Sequence, residues 1–130
     1  MKEMIYRPNH TIEILHSGEI NRYKFAIVSF GVHPAAYVQV QESHPLYHNA
    51  DIDCYVFCHG GISCHLDLNE PNELGLDPGW WIGWDYAHVT DYIDSPFMTF
   101  GKKKWTTTEI LNDVQLVIQQ LCEADGGEVK

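Results

Sequence analysis

The alternation of apolar and polar residues predicts β-strands across the first half of the chain. Residues 11–16 alternate in this way, and the Ser17-Gly18 pair that follows them is a turn signal. Residues 22–30 become apolar on both faces toward their end, which is typical of a strand that enters the core. Residues 37–40 predict a third strand, which leads into a loop at residues 43–49.

A hairpin is predicted between residues 54 and 68. Its strands, residues 54–58 and residues 62–68, flank Gly60-Gly61, and glycine permits the positive φ angles of a two-residue hairpin turn. The proline- and glycine-rich residues 69–79 predict a long polar connection. The aromatic residues 80–86 predict one further strand.

The clearest predicted element is a C-terminal helix. Thr106 and Glu109 match a capping box, in which each side chain accepts a hydrogen bond from the other residue's backbone. Gly126-Gly127 ends a run in which apolar residues recur at helical spacing, namely Ile110, Leu111, Val114, Val117, Ile118 and Leu121. One amphipathic helix after several strands predicts an α+β fold, with the helix packed on one face of a mostly antiparallel sheet.

Length and composition predict a single folded domain that spans residues 1–130. The chain is 45% hydrophobic and 12% aromatic, which excludes the disordered class. No apolar run reaches the ~18 residues that a bilayer crossing needs, and the N-terminus lacks the apolar segment of a signal peptide. We therefore expect a cytoplasmic protein whose four cysteines are free thiols, because disulfides are rare in the cytosol.

The net charge restricts the partners that the protein can take. A formal charge of -10 at pH 7 excludes non-specific binding to a nucleic-acid backbone. It does not exclude a nucleotide bound in a local pocket. The basic run Lys102-Lys103-Lys104 is typical of a solvated loop before a helix.

The cysteines and histidines of residues 54–65 suggest a metal site, but strand geometry argues against one. Cys54 and Cys58 are four residues apart, so in a regular strand they stand ~13 Å from each other. Zn–S bonds are only ~2.3 Å long, and both sulfurs therefore cannot ligate one ion. Cys64 falls on the apolar face of the predicted hairpin. We predict no metal site within this stretch, while a site that adds distant ligands stays open.

His59 is the more interesting residue of this stretch. It lies at the end of an apolar face, next to Gly60 and Gly61, whose backbone amides can approach an anion or a carbonyl closely. The structural alternative is a hairpin turn with a hydrogen-bonded histidine near the core.

A second group of candidate residues follows the aromatic strand. Asp85, His88 and Asp91 are spaced so that a helical turn would place them on one face. A carboxylate beside an imidazole raises its basicity and fixes its tautomer, which suits a general base or a metal ligand. Trp81 and its neighbours offer flat surfaces for a planar ring. The alternative is a core strand whose Asp85 caps the following turn. Gly83 in mid-strand often marks a bulge or the close approach of another group, which favours the site interpretation.

Three ordered motifs carry a resemblance to a known family. The chain contains Val38-x-Val40-x-x-x-His44-Pro45-x-Tyr47, then His59-Gly60-Gly61-Ile62, then Trp80-Trp81-x-Gly83-x-Asp85-x-Ala87-His88-x-x-Asp91. In this it resembles a family of small bacteriophage proteins that carry H-P-x-Y, H-G-G and W-W-x-G-x-D-x-A-H pieces in the same order. The resemblance begins at Tyr37, covers about two-thirds of the chain and implies a phage-encoded protein of the bacterial cytoplasm, without implying a particular activity.

The residues shared with the family define the predicted ligand-binding set. It comprises His44, Tyr47, His59, Gly60, Gly61, Trp81, Asp85, His88 and Asp91. This chain departs from the family's pattern at Cys58, at Ser63-Cys64 and at Tyr86. The cysteines are therefore not part of the shared motifs, which weakens the metal interpretation further.

Three hypotheses about function follow, and the first is favoured. In the first, the protein binds a small polar or nucleotide-like ligand in a His/Asp/Trp pocket, and the phage resemblance suggests that it counteracts a host defence. The second hypothesis is a small hydrolase, metal-assisted or not, that uses His59, Asp85 and His88. The third is an acidic inhibitor that binds a host protein. The sequence assigns no cofactor. The first two hypotheses require His59, Asp85 and His88 to converge.

Overall fold

The computed structural model describes residues 5–7, 10–29, 33–69, 75–86 and 106–126. Six strands and one α-helix are present in these ranges: β1 (Ile5–Arg7), β2 (His10–Ile20), β3 (Tyr23–Ser29), β4 (Pro34–Val40), β5 (Cys64–Leu68), β6 (Gly79–Asp85) and α1 (Thr107–Ala124). A single 3₁₀ turn, Ile52–Cys54, lies between β4 and β5. No helix of the described ranges has the length and apolarity that a membrane crossing needs.

The strands form one antiparallel sheet in the order β1-β2-β3-β4-β6-β5. The helix α1 packs against β2, β3 and β4. The predicted α+β fold, an antiparallel sheet with one C-terminal helix on it, is therefore confirmed. The predicted strands at residues 22–30, 37–40 and 80–86 correspond to β3, β4 and β6.

The sheet carries a core on each face. What we call the helix-side core contains the buried residues of α1 together with Tyr23, Phe25, Ile27, Val38, Val40, Trp80, Ile82, Trp84 and Tyr86. What we call the second core lies on the other face and contains Ala26, Val28, Ala35, Tyr37, Leu76 and Trp81. Because alternate residues of a strand point to opposite faces, β3 and β6 contribute to both cores.

The capping box at the start of α1 forms as predicted. The Glu109 amide donates to Thr106 Oγ1 and the Thr106 amide donates to Glu109 Oε1, both at 3.1 Å. These bonds satisfy two backbone donors that the first turn would otherwise leave without a partner. The apolar stripe of α1 is buried against the sheet at Ile110, Val114, Val117, Ile118, Leu121 and Cys122.

The predicted turn at Ser17-Gly18 is wrong, because β2 continues through it to Ile20. The chain reverses instead at Asn21 and Arg22, whose φ angles of 50° and 75° suit a two-residue hairpin turn. Gly18 lies against the Phe25 ring, and a Cβ added at this position would be 3.3 Å from that ring. Its missing side chain leaves room for that ring and does not mark a turn.

The predicted hairpin at residues 54–68 is also wrong, since residues 54–58 do not form a strand. Ile52 and Val56 are both buried in the helix-side core, four residues apart, and the Val56 amide donates to the Ile52 carbonyl. This spacing fits a helical turn and not a strand. The second arm does form, but β5 pairs with β6.

Candidate functional site

His44 is a structural residue. Its side chain is buried, with Nε2 2.8 Å from the Leu121 carbonyl oxygen and Nδ1 2.9 Å from the Leu46 backbone nitrogen. Because a carbonyl only accepts and a backbone N–H only donates, the ring is the neutral tautomer that carries its proton on Nε2. Both ring nitrogens are therefore used to attach the loop after β4 to the end of α1.

Tyr47 belongs to a group of rings at the helix-side core. Its ring stacks on His48 at a centroid distance of 4.1 Å and meets the Trp80 ring edge-on at 5.9 Å. His65 approaches Trp80 from β5 at 5.4 Å, and His48 Nε2 lies 3.3 Å from Asp67 Oδ2. Trp80 thus contacts two histidines, His48 and His65, that the predicted ligand-binding set does not include.

His59 stacks on Tyr86. The two rings are nearly parallel, at an interplanar angle of 8° and a centroid distance of 4.8 Å. The Tyr86 hydroxyl donates to Asp113 Oδ2 at 2.6 Å and accepts from Trp84 Nε1 at 3.1 Å. Burial, reinforced by the hydrogen bond to Asp113, raises the pKa of Tyr86 well above its usual range. Tyr86 is therefore a neutral phenol that ties the end of β6 to α1.

Gly60 and Gly61 form a tight turn, but not the turn of a hairpin. The Gly61 amide donates to the Cys58 carbonyl at 3.0 Å, which closes a four-residue turn. Gly60 is the third residue of this turn and has a φ of 71°, a value that type II turns require there. Gly61 follows with a φ of 84°, so both positions need glycine for their backbone conformation.

Cys58 is held as a thiol. Burial raises its pKa from 9.0 to about 12, and the nearby Asp113 carboxylate adds to the rise. Since the thiolate is both the nucleophile and the metal-binding form, this environment favours neither role. Cys58 packs against the helix-side core as a small apolar residue.

Trp81 points to the opposite face of the sheet from His59. It is buried in the second core, and its Nε1 donates to the Asp77 carbonyl at 2.9 Å. It also lines a cleft of about 380 Å³ that we call the Trp81 cleft, whose wall includes Ile14, Ala26 and Leu76. Trp81 therefore lines a cleft on the face of the sheet that is opposite to His59.

Asp85 also belongs to the second face, where it pairs with Ala35 at the end of β6. It acts on two neighbours of that face. Burial raises the pKa of Tyr37 to about 12, with Cys64 and Asp85 adding smaller contributions. Burial likewise raises the pKa of Cys64, again with Asp85 contributing. Asp85 is therefore electrostatically coupled to a phenol and a thiol.

Gly83 allows a close approach, as one of the sequence-based interpretations held. A Cβ at this position would lie 2.6 Å from the Tyr37 ring, a distance that no real contact tolerates. The approaching group is thus an internal side chain and not a ligand.

The structure does not bring the predicted site residues together. His59 packs on the helix-side core, whereas Trp81 and Asp85 lie on the other face, so the sheet separates them. His88 and Asp91 lie outside the described residues. Within the described ranges, no group of three His, Cys, Asp or Glu side chains is arranged to hold a metal ion.

A feature that sequence reasoning missed is the exposure of Phe57, whose side chain is 70% accessible. Its backbone is nevertheless fixed: the Phe57 amide donates to Gln120 Oε1 and Gln120 Nε2 donates to the Phe57 carbonyl, both at 2.8 Å. Gln120 Nε2 also donates to the Leu116 carbonyl, and the Leu116 side chain is 57% accessible. We call Phe57, Leu116 and Gln120 the Phe57 patch.

The sequence contained a partial signal for this patch. Leu116 is the one leucine of α1 that falls outside the apolar stripe. Phe57 gave no such signal, because in the predicted hairpin it shares the apolar face with Cys64.

The Phe57 patch lies in an acidic part of the chain. None of the eight Lys and Arg residues falls between residues 25 and 101, whereas ten of the eighteen Asp and Glu residues do. The helix α1 also lacks basic residues and carries Glu109, Asp113 and Glu123. Both segments that form the patch are therefore acidic.

Comparison of the chain with protein-family models, with curated proteins and with solved structures found no match. The resemblance to the phage family consequently stays a prediction from the three motifs.

Proposed function

We propose that the protein is an acidic protein-binding module and that a partner with a basic surface docks on the Phe57 patch. This is the third of the hypotheses that the sequence left open. The observation that carries it is an exposed phenylalanine whose backbone is pinned to α1 by a pair of hydrogen bonds. An exposed aromatic side chain on a backbone that is already held in place suits a binding hot spot.

The pinned backbone supports binding through its effect on entropy. A partner that covers a mobile loop must immobilise it, and that ordering reduces the affinity. Gln120 satisfies both backbone groups of Phe57 in the free protein, so the loop is held before any partner arrives. Leu116 lies one helical turn from Gln120 and extends the apolar area.

Charge determines the kind of partner. Acidic residues flank the patch on both of its segments, with Asp53 and Asp113 near Phe57 and Leu116 in the chain. A basic surface would be attracted over a distance of about 8–10 Å at physiological salt and would be oriented as it approached. We therefore expect an association that weakens as salt is added.

Catalysis has less support from the described residues. The two ring nitrogens of His44 are used internally, Cys58 is held as a thiol, and His59 and Asp85 lie on different faces of the sheet. Binding needs none of these groups.

The biological setting that we propose rests on the motif resemblance alone. In that setting the protein is encoded by a phage, acts in the cytoplasm of the bacterial host, and occupies a basic surface of a host protein to counteract a defence. The acidic composition is compatible with such a role.

Photo-crosslinking from position 57 tests the proposal. A photoreactive phenylalanine analogue replaces Phe57 in one variant and Leu15 in a second, because Leu15 is also an exposed apolar residue but lies on β2. In a bacterial host, we expect a discrete adduct with one protein from position 57 and none from position 15. Mass spectrometry identifies the adduct.

The partner identified in this way then permits a quantitative test. We expect Phe57→Ala to weaken its binding by about thirtyfold, as truncation of a hot spot does, and Leu15→Ala to leave binding unchanged. Binding should also weaken as the salt concentration rises. Equal adducts from both positions, or unaltered binding by Phe57→Ala, would show that the patch is not the docking surface.

A further inference from the structure

The strand β5 forms one edge of the sheet. It lies at the end of the order β1-β2-β3-β4-β6-β5, and β6 is its only strand partner among the described residues. The N–H and C=O groups that point away from β6 are therefore left unpaired by the described strands. The opposite edge, β1, spans three residues, whereas β5 spans five, so β5 is the longer template for a further strand.

The strand β5 lacks the features by which edge strands commonly avoid pairing. It contains neither proline nor lysine, and its register with β6 is unbroken from Cys64 to Leu68. By contrast, the register between β2 and β3 shifts between Ile14 and His16. A regular edge of this kind can accept a further strand along its outer side.

The side chains of β5 alternate between an apolar and a polar face. Cys64, Leu66 and Leu68 are half-buried and pack against the second core. His65 and Asp67 are exposed and lie on the helix side. A strand that pairs with β5 extends both faces, so it needs the same alternation of apolar and polar side chains.

The sequence of β5 is complementary to itself in the antiparallel direction. When two copies of the strand pair about a twofold axis at Leu66, positions 65 and 67 face each other across the axis. His65 of each copy then lies opposite Asp67 of the other. Because a histidine ring donates an N–H to a carboxylate in either protonation state, both contacts are attractive.

The apolar face of β5 is complementary in the same register. Leu66 faces Leu66 of the second copy, and Cys64 faces Leu68 of the second copy. These side chains are only half-buried in the single copy, so a second strand would cover part of their remaining exposed surface. The apolar row beside the second core would then continue across the axis.

The contact between Asp67 and His48 leaves the carboxylate available. His48 Nε2 lies 3.3 Å from Asp67 Oδ2, and the Asp67 side chain is still 59% accessible. A carboxylate accepts hydrogen bonds through two oxygens, each with more than one lone pair. Asp67 can therefore bond His48 of its own copy and His65 of a second copy at the same time.

We propose that the protein forms a twofold dimer in which the β5 strands of two copies pair antiparallel about Leu66 and join their sheets. The contact is a single strand pair, and each copy carries a net charge of -10 that opposes association. Because small interfaces are weak, we expect a dissociation constant in the micromolar range.

This interface is independent of the Phe57 patch, which is formed by α1 and the loop after the 3₁₀ turn. Phe57→Ala should leave the dimer unchanged. His65→Glu should leave the identity of the adduct that forms from position 57 unchanged. Failure of either proposal can therefore be told from failure of the other.

Sedimentation velocity of the full chain tests the proposal. From about 1 to about 300 μM at constant salt, we expect monomer to convert to dimer with no larger species, because a twofold contact closes on itself. Hydrogen exchange at both ends of this range locates the contact. Amide exchange in residues 64–68 should slow several-fold at the high concentration, and exchange in α1 should stay constant.

Charge variants test the register. His65→Glu places a carboxylate opposite Asp67 of the second copy at two symmetric positions, and it should weaken the dimer about tenfold. Gln115→Glu is the matched control, because it adds a negative charge at an exposed position of α1, which packs on β2, β3 and β4. It should leave the dimer unchanged. Adding Asp67→Lys to His65→Glu exchanges the charges and should restore association.

Four outcomes would overturn the proposal. The first is a protein that stays monomeric over the whole concentration range, and the second is a dimer whose formation leaves exchange in β5 unchanged. The third is equal weakening by His65→Glu and Gln115→Glu, which would indicate a response to net charge alone. The fourth is no recovery in a double variant whose α1 is protected from exchange as in the wild type, because folded copies would then not place positions 65 and 67 opposite each other.

Discussion

The histidines of this protein differ in what their rings contact. His44 makes two internal hydrogen bonds that fix its tautomer, His48 pairs with an exposed carboxylate, and His59 stacks on a phenol. Sequence reasoning selected His44 and His59 together as ligand-binding residues, because both belong to the family-like motifs. A motif identifies a residue that the fold needs, but it does not distinguish an internal hydrogen bond from a bond to a ligand.

His44→Ala should therefore destabilise the protein strongly. The change leaves the Leu46 amide without its partner, removes one of the two hydrogen bonds that the Leu121 carbonyl accepts, and opens a cavity, so we expect a loss of about 2–4 kcal/mol in the free energy of unfolding. Urea denaturation measures it. His48→Ala, which removes an exposed ion pair with Asp67 and a ring stacked on Tyr47, should cost only about 1 kcal/mol. Equal losses in the two variants would show that the bonds of His44 contribute little.

The elements that could be predicted from the sequence are those whose capping residues and apolar pattern lie within the element itself. The capping box and the apolar stripe are contained in α1 itself, and β3 shows its burial through apolar residues on both faces. The path of segment 54–58 could not be predicted, because the backbone of Phe57 is satisfied by Gln120, which lies 63 residues away. Without that side chain, the apolar alternation and the two glycines favoured a hairpin.

Gln120→Ala should consequently loosen this segment. Two hydrogen bonds of about 0.5–1.5 kcal/mol each are lost, so we expect amide exchange at Phe57 to become about tenfold faster. Hydrogen exchange read by mass spectrometry reports it. Gln119→Ala is the matched control, because Gln119 is an exposed glutamine of the same helix that donates to Glu123 one turn along and makes no described hydrogen bond to Phe57. Unchanged exchange in Gln120→Ala would mean that other contacts hold the loop.

At the scale of the whole molecule, the sheet separates two surfaces with different properties. The alternation of β6 sends Trp80, Ile82 and Trp84 to the helix-side core and sends Trp81 and Asp85 to the other face. The sequence showed this alternation, but it did not show that residues 59–61 lie on the helix side. That position depends on the loop that Gln120 holds, so the predicted pocket joined side chains that the fold keeps apart.

One thiol and two phenols that belong to or pack against the two cores stay protonated in the folded state. The protein should therefore lose stability at alkaline pH. Burial raises the pKa of Cys58 from 9.0, and that of Tyr23 and Tyr37 from 10.0, in each case to about 12. In the unfolded chain these groups lose their protons above pH 9–10. Their contribution to stability is thus full below pH 9 and is lost as the pH rises toward 12.

Because these side chains are partly solvated, we expect each to lower the free energy of unfolding by about 0.5–1 kcal/mol per pH unit, less than the full linkage slope. Urea denaturation from pH 7 to pH 11 should show a plateau followed by a decline that begins near pH 9. Cys58→Ala should reduce the slope between pH 9 and pH 10, where the unfolded thiol ionises before the phenols do. An identical slope in wild type and Cys58→Ala would indicate that the Cys58 thiol is no harder to ionise in the fold than in the unfolded chain.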